Sequence, residues 1–293
     1  MRGRTRVIHT LVASVAAVAL SAPASAAGGQ PGRTLEWGLT DCRGVVALIP
    51  VDRATLQPHL PAGFSPTLPP SVAALLPPDP RLEAVLGLEV FDCVQGEGLH
   101  GPVEGLDYAS FWTFVEPPAH LADHGKQLTF FKWDTLVPDE PRRELLREYG
   151  VPARDGHVAL DLWSDEVVPS TGSGAPAVAL DAGWSFDGGE RYTFTGVATA
   201  PVEFAGSFVE YGHAGTGLAK WATDYRSLRA LGGAGAVTLD PAGFPAQALG
   251  RTVTDAYFLV LTGLDFVDGQ ITLPPRRCAS HADDTGGGAC PCG

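Results

Sequence analysis

The sequence predicts a mostly β domain with a few flanking helices, and three observations carry that prediction. Short runs of β-branched and aromatic residues recur at regular spacing along the chain. The chain holds 36 Gly and 25 Pro, which interrupt helical periodicity and mark turns between the runs. Few segments carry paired helix start and stop signals. Such a pattern builds a barrel or a sandwich. With 293 residues, 45% of them hydrophobic, and no linker composition dividing it, the chain reads as a single domain able to bury a real core.

The elements follow in order. Residues 45–51 (VVALIPV) form a β-branched strand. Asp52 is an N-cap for a helical turn over 53–60, which Pro61-Ala62-Gly63-Phe64 ends. Residues 66–80 carry six prolines and read as a loop with a short helix at 71–76. Strands are expected over 85–94 and 108–115, joined by a polar Gly-rich turn at 96–105. Another strand covers 128–136 (LTFFKWDTL). Asp139 and Pro141 open a helix over 142–149 that Gly150 caps. A strand at 157–163 precedes a hairpin, 178–186 and 191–200, turning at Asp187-Gly188-Gly189. A strand is expected over 202–211, a second helix over 217–228, a loop at Gly232-Gly233-Ala234-Gly235, and a late strand over 252–261.

The first 26 residues read as an export signal. Arg2, Arg4 and Arg6 precede an apolar stretch at 11–20, too short to span a bilayer, and Ala24-Ser25-Ala26 is a small-x-small cleavage site. Cleavage removes three arginines and no acid, taking the formal charge from −13 to −16. A surface this acidic repels phosphate and anionic lipid, so no nucleic acid and, once the signal is removed, no membrane is expected as a partner. The mature protein is expected to be secreted, as a domain over 27–277 followed by a Cys/Gly-rich flexible tail over 278–293. Five cysteines fit an oxidising compartment. The pairing expected is Cys42 with Cys93, with Cys278 taking Cys290 or Cys292. A zinc site in the tail (Cys278, His281, Cys290, Cys292) has suitable ligand types, but one residue between Cys290 and Cys292 is tighter than usual.

Familiar catalytic motifs are missing. Ser173 lacks the glycine a nucleophile elbow needs before it, and there is no phosphate-cradling loop or dinucleotide fingerprint. His120 and His124 stand at i, i+4 between Pro117-Pro118 and Gly125, and read as a solvated turn. No metal and no cofactor is expected. Lys132 sits among aromatics in Phe130-Phe131-Lys132-Trp133; alternation puts it on the face of Phe130, opposite Phe131 and Trp133. An exposed strand lysine is the plainer expectation, whereas a desolvated one would be a credible nucleophile.

Residues 45–66 (VVALIPVDRATLQPHLPAGFSP) resemble the opening of an acetoacetate decarboxylase-like domain: a strand, an acid, a short helix and a Pro-Gly-Phe turn. Residues 89–114 and 128–158 resemble that family's later strands, Gly-rich turn and helix. The resemblance implies a closed antiparallel β-barrel with flanking helices and an interior ligand pocket. It also implies a catalytic lysine that forms a Schiff base with a β-keto acid, beside a second lysine that lowers its pKa. The matching stretch here is Tyr149-Gly150-Val151-Pro152-Ala153-Arg154, so Ala153 stands at the nucleophile position and Arg154 at the companion cation. Glu104 falls near the family's pocket glutamate. The leading expectation is therefore a secreted protein of this type that binds a small apolar or carboxylate ligand without Schiff-base decarboxylation, Arg154 holding the anion and Glu104 orienting it. The rival is a lyase or decarboxylase of the same fold using Lys132 or a Glu104/Arg154 pair. A further alternative is an extracellular β-sandwich with an adhesive or structural role.

Overall fold

The computed structural model describes residues 34–78, 82–97, 103–122, 125–148, 151–163, 178–203, 207–214 and 217–272. The export signal, the Ser173 segment, His124 and the Cys-rich tail lie outside these residues. Strand β1 (Thr34–Val51) leads to α1 (Arg53–Leu56), a 3-10 turn (Gln57–His59), β2 (Ser65–Pro66) and α2 (Pro70–Ala73). Strands β3 (Ala84–Glu97), β4 (Val103–Glu116) and β5 (Leu128–Leu136) precede α3 (Glu140–Glu148). Then come β6 (Ala153–Arg154), β7 (Gly156–Trp163), β8 (Val178–Phe186), β9 (Arg191–Glu203), β10 (Ser207–Ala214) and β11 (Gly217–Thr238). Helix α4 (Phe244–Leu249) and β12 (Val253–Thr272) complete the chain. Among the described residues no helix is long and apolar enough to cross a membrane.

The twelve strands belong to one large sheet, ordered β10-β5-β4-β3-β1-β12-β11-β9-β8-β7, with β2 on β4 and β6 on β5. Strand β10 also pairs with β11. The mostly β class is as expected, and the one continuous sheet differs from a two-sheet sandwich. A closed, all-antiparallel barrel is not what forms. The β10–β5 and β5–β6 pairings are parallel, and β7, paired only with β8 among the described residues, leaves the sheet an open edge. Parallel neighbours need a long crossover, which the chain from β6 through β9 supplies between β5 and β10.

Two further expectations are corrected in the same region. Residues 217–228 are not helical but the first half of β11, held between ladders to β10 and β12. Their local helical look yields to pairing on both edges. The Gly232–Gly235 stretch is strand as well, and a Cβ at Gly233 would stand 2.1 Å from the Val197 carbonyl oxygen, so the close β9–β11 approach needs glycine.

The central strands are buried on both faces, which is why they read as near-continuous apolar runs. In β1, Val45, Ala47 and Ile49 enter one core with Leu86 and Leu88 of β3, Phe111 of β4 and Phe258 of β12. The alternate residues Val46 and Leu48 enter a second core with Phe91, Trp112, Phe114, Phe130, Leu259 and Leu261. Cys42 faces Cys93 directly across the β1–β3 ladder, and the two form the expected disulfide. Asp139 caps α3 through a hydrogen bond from the Arg142 amide at 3.1 Å. Asp52 stands at the N-cap of α1 without a side-chain capping bond.

Candidate functional site

On the second-core face, polar side chains from four adjacent strands converge: Glu89 on β3, Tyr108 and Ser110 on β4, Lys132 on β5 and Glu210 on β10. Strand alternation explains the convergence. Glu89 opposes Ser110, Lys132 opposes Trp112, and Glu210 opposes Phe130, so all meet on one face. Gly87 makes room for the Trp112 indole: a Cβ there would lie 2.5 Å from the ring. That space lets the indole N–H donate to Glu89 Oε2 at 2.8 Å.

Lys132 is 2% exposed, which corrects the expectation of a solvent-facing strand lysine. Its Nζ lies 3.2 Å from Glu89 Oε1 and 3.0 Å from Glu210 Oε1, and it donates to the Tyr108 hydroxyl. Ser110 Oγ and Tyr108 Oη also donate to Glu89 Oε1, at 2.6 and 3.0 Å. Burial opposes charge on Lys132, but Glu210, Tyr108 and Glu89 outweigh it, and the amine is held above its ordinary value as an ammonium. Burial pushes the Glu210 carboxyl up to about 7, Lys132 pulls it back down, and Glu89 adds to the rise. Burial likewise keeps Tyr108 a phenol, well above its ordinary value.

The two carboxylates open onto a cavity of about 70 Å³. Its other walls are apolar: Val46 and Leu48 from β1, Val72 and Leu75 from α2 and the turn after it, aromatic rings of β3 to β5, and Leu259 and Leu261 from β12. One water needs about 10–15 Å³ of such space, so a ligand of about five heavy atoms fits.

Arg154 is not part of this cluster. It donates to Asp134 Oδ2 and Glu190 Oε2, each at 2.9 Å, and its guanidinium stacks 3.6 Å over the Phe186 ring. The cause is a bulge in β5: the register moves from Phe111↔Asp134 to Trp112↔Lys132, leaving Trp133 as the extra residue. Before the bulge, Phe130 and Lys132 lie on the side of the second core; after it, the even-numbered Leu136 faces the first core. Asp134 and its arginine go with that opposite face. Arg154, expected to hold an anionic ligand, instead belongs to an ion-pair network away from the cavity. Glu104 lies in β4 opposite Gln95; its side chain lies outside the described residues. Ala153 is buried in β6 and carries no amine. No cluster of three or more metal-ligating side chains occurs among the described residues.

Sequence reasoning missed Glu89 and Glu210. The signal was there: each is a lone acid inside an apolar strand, in Leu88-Glu89-Val90 and Val209-Glu210-Tyr211. A carboxylate in such a run is either exposed on an edge or buried with a partner.

No protein-family model and no curated protein matches the chain. Among solved structures, it is similar to acetoacetate decarboxylase from Legionella pneumophila subsp. pneumophila str. Philadelphia 1, at 12% identity and TM-score 0.49 over 87% of this chain and 91% of that one. It is similar to an acetoacetate decarboxylase-like enzyme from Sphingomonas wittichii RW1 at 17% identity and TM-score 0.42, over 80% and 93%. The enduracididine biosynthesis enzyme MppR complexed with pyruvate is similar at 13% identity and TM-score 0.46, over 84% and 92%. The first two of these neighbours carry the name of the family that residues 45–66 resemble.

Proposed function

We propose that the protein is an exported small-molecule-binding protein that takes one compact, largely apolar ligand into the cavity and anchors its polar group on the Glu89–Lys132–Glu210 cluster, without Schiff-base chemistry. The observation that carries this reading is the pairing of Lys132 Nζ with two carboxylates on an otherwise apolar wall. An amine fixed as an ammonium has no lone pair to attack a carbonyl, and Ala153 offers none at the family's nucleophile position. Export is supported by the arginine-led apolar segment at the N-terminus and by the buried Cys42–Cys93 disulfide.

The test is saturable binding of a neutral ligand of about five heavy atoms, such as 2-butanol, read by Trp112 fluorescence, together with borohydride trapping in the presence of acetoacetate. Binding that is abolished by Leu48→Trp, with no borohydride adduct, is the result expected. A reduced adduct on Lys132 would overturn the non-covalent reading.

A second reading is favoured by one observation. Glu210, with its carboxyl raised to about 7 beside the cavity, has the proton affinity of a general acid–base group at neutral pH. On that reading the cluster serves a lyase-like proton transfer on the bound molecule. Turnover lost in Glu210→Gln while ligand binding persists would select it.

A further inference from the structure

The two acids on the cavity wall differ in how their oxygens are used. Glu89 is saturated: Oε1 receives Ser110, Tyr108 and Lys132, and Oε2 receives the Trp112 indole. Glu210 meets one donor, Lys132, through Oε1 at 3.0 Å. The cavity is therefore lined by one carboxylate that accepts four hydrogen bonds and one that is far less engaged.

Among the described residues Lys132 is the one cation beside both acids, and it does not itself line the cavity. The titratable groups facing the cluster are Glu89 from β3, Tyr108 from β4, Lys132 from β5 and Glu210 itself from β10. The lining contributed by β1, α2 and β12 is Val46, Leu48, Val72, Leu259 and Leu261, without charge. Lys132 neutralises one carboxylate, so with both acids ionised the cluster carries one net negative charge. An anion entering this cavity would meet carboxylate oxygens at close range in a poorly solvated site, with no donor on the lining to compensate. A cation would find the less engaged Glu210 carboxylate ready to accept its hydrogens.

We infer that the cavity selects a small primary alkylammonium, its hydrocarbon part against the apolar wall and its nitrogen on Glu210, over a carboxylate of the same shape. The inference rests on the cavity being a ligand site, as proposed above. It reverses the ligand preference that an anion-holding Arg154 would have given. Because the amine is bound by the ionised carboxylate, its apparent affinity scales with the ionised fraction of Glu210. With that carboxyl near 7, the fraction changes about tenfold between pH 6 and pH 8, and affinity rises in the alkaline direction.

Three near-isosteric probes decide the matter: isobutylamine, isobutyramide and isobutyrate, each titrated calorimetrically into the mature disulfide-bonded protein at pH 6 and pH 8. Expected are saturable amine binding at pH 8 at least about tenfold tighter than the amide, a loss of about tenfold in amine affinity at pH 6, and no saturation with isobutyrate. Glu210→Gln, verified as folded by its thermal transition, should bring amine and amide to equal affinity while amide binding persists. Isobutyrate binding as tightly as the amine would overturn the inference and leave the cavity reading intact. Saturation by none of the three would overturn the cavity reading itself.

Discussion

Glu210 should make the protein less stable as the solution turns alkaline, and the size of the effect follows from its surroundings. Its carboxyl is raised from 4.5 to about 7 in the fold, chiefly by burial. A group whose folded pKa lies above its unfolded value contributes its full stability below the unfolded value, here about 4.5. It loses that contribution as pH rises through the folded value. Each factor of ten in proton affinity is worth about 1.4 kcal/mol, so the contribution lost between pH 4.5 and pH 8 is about 3 kcal/mol. The perturbation is Glu210→Gln, which keeps the shape and removes the titration. Urea unfolding of both proteins at pH 4.5, 6, 7 and 8 gives the difference in unfolding free energy, with common titrations cancelling. The wild type should lose about 3 kcal/mol relative to the variant across this range, most of it below pH 7. Parallel curves for the two proteins would refute the buried, proton-taking Glu210 described here.

Lys132→Met leaves two buried carboxylates uncompensated and should cost about 3–5 kcal/mol at pH 8. For a domain of this size that is a fall in Tm of about 6–20 °C, partly restored at pH 6, as differential scanning calorimetry would read. Gly87→Ala drives a methyl into the Trp112 indole and should cost about 1–3 kcal/mol and shift the Trp112 emission. The double variant Cys42→Ala/Cys93→Ala, which opens a loop of sequence separation 51, should lower the unfolding free energy by about 2–4 kcal/mol in urea titration.

What could be read from the sequence was what a single strand determines. The runs at 45–51, 85–94, 108–115 and 128–136 are strands because both their faces are buried, and apolar content survives without knowing the partners. The Cys42–Cys93 bond was legible because each cysteine sits beside such a run. The site was harder, because it is assembled by pairing across β3, β4, β5 and β10, and 43 residues separate Glu89 from Lys132. The bulge at Trp133 has no local sequence signature, yet it alone sends Lys132 and Asp134 to opposite faces and so separates Lys132 from Arg154. Residues 217–228 failed for the same reason: a charged, helix-compatible stretch becomes strand because β10 and β12 flank it.

The chain has three lysines, Lys126, Lys132 and Lys220, so side-chain 15N NMR can follow each nitrogen separately across pH. The Lys132 Nζ signal should stay that of an ammonium, slow to exchange with water, from pH 5 to pH 10. A Lys132 nitrogen that becomes a neutral amine near or below pH 7 would contradict that reading.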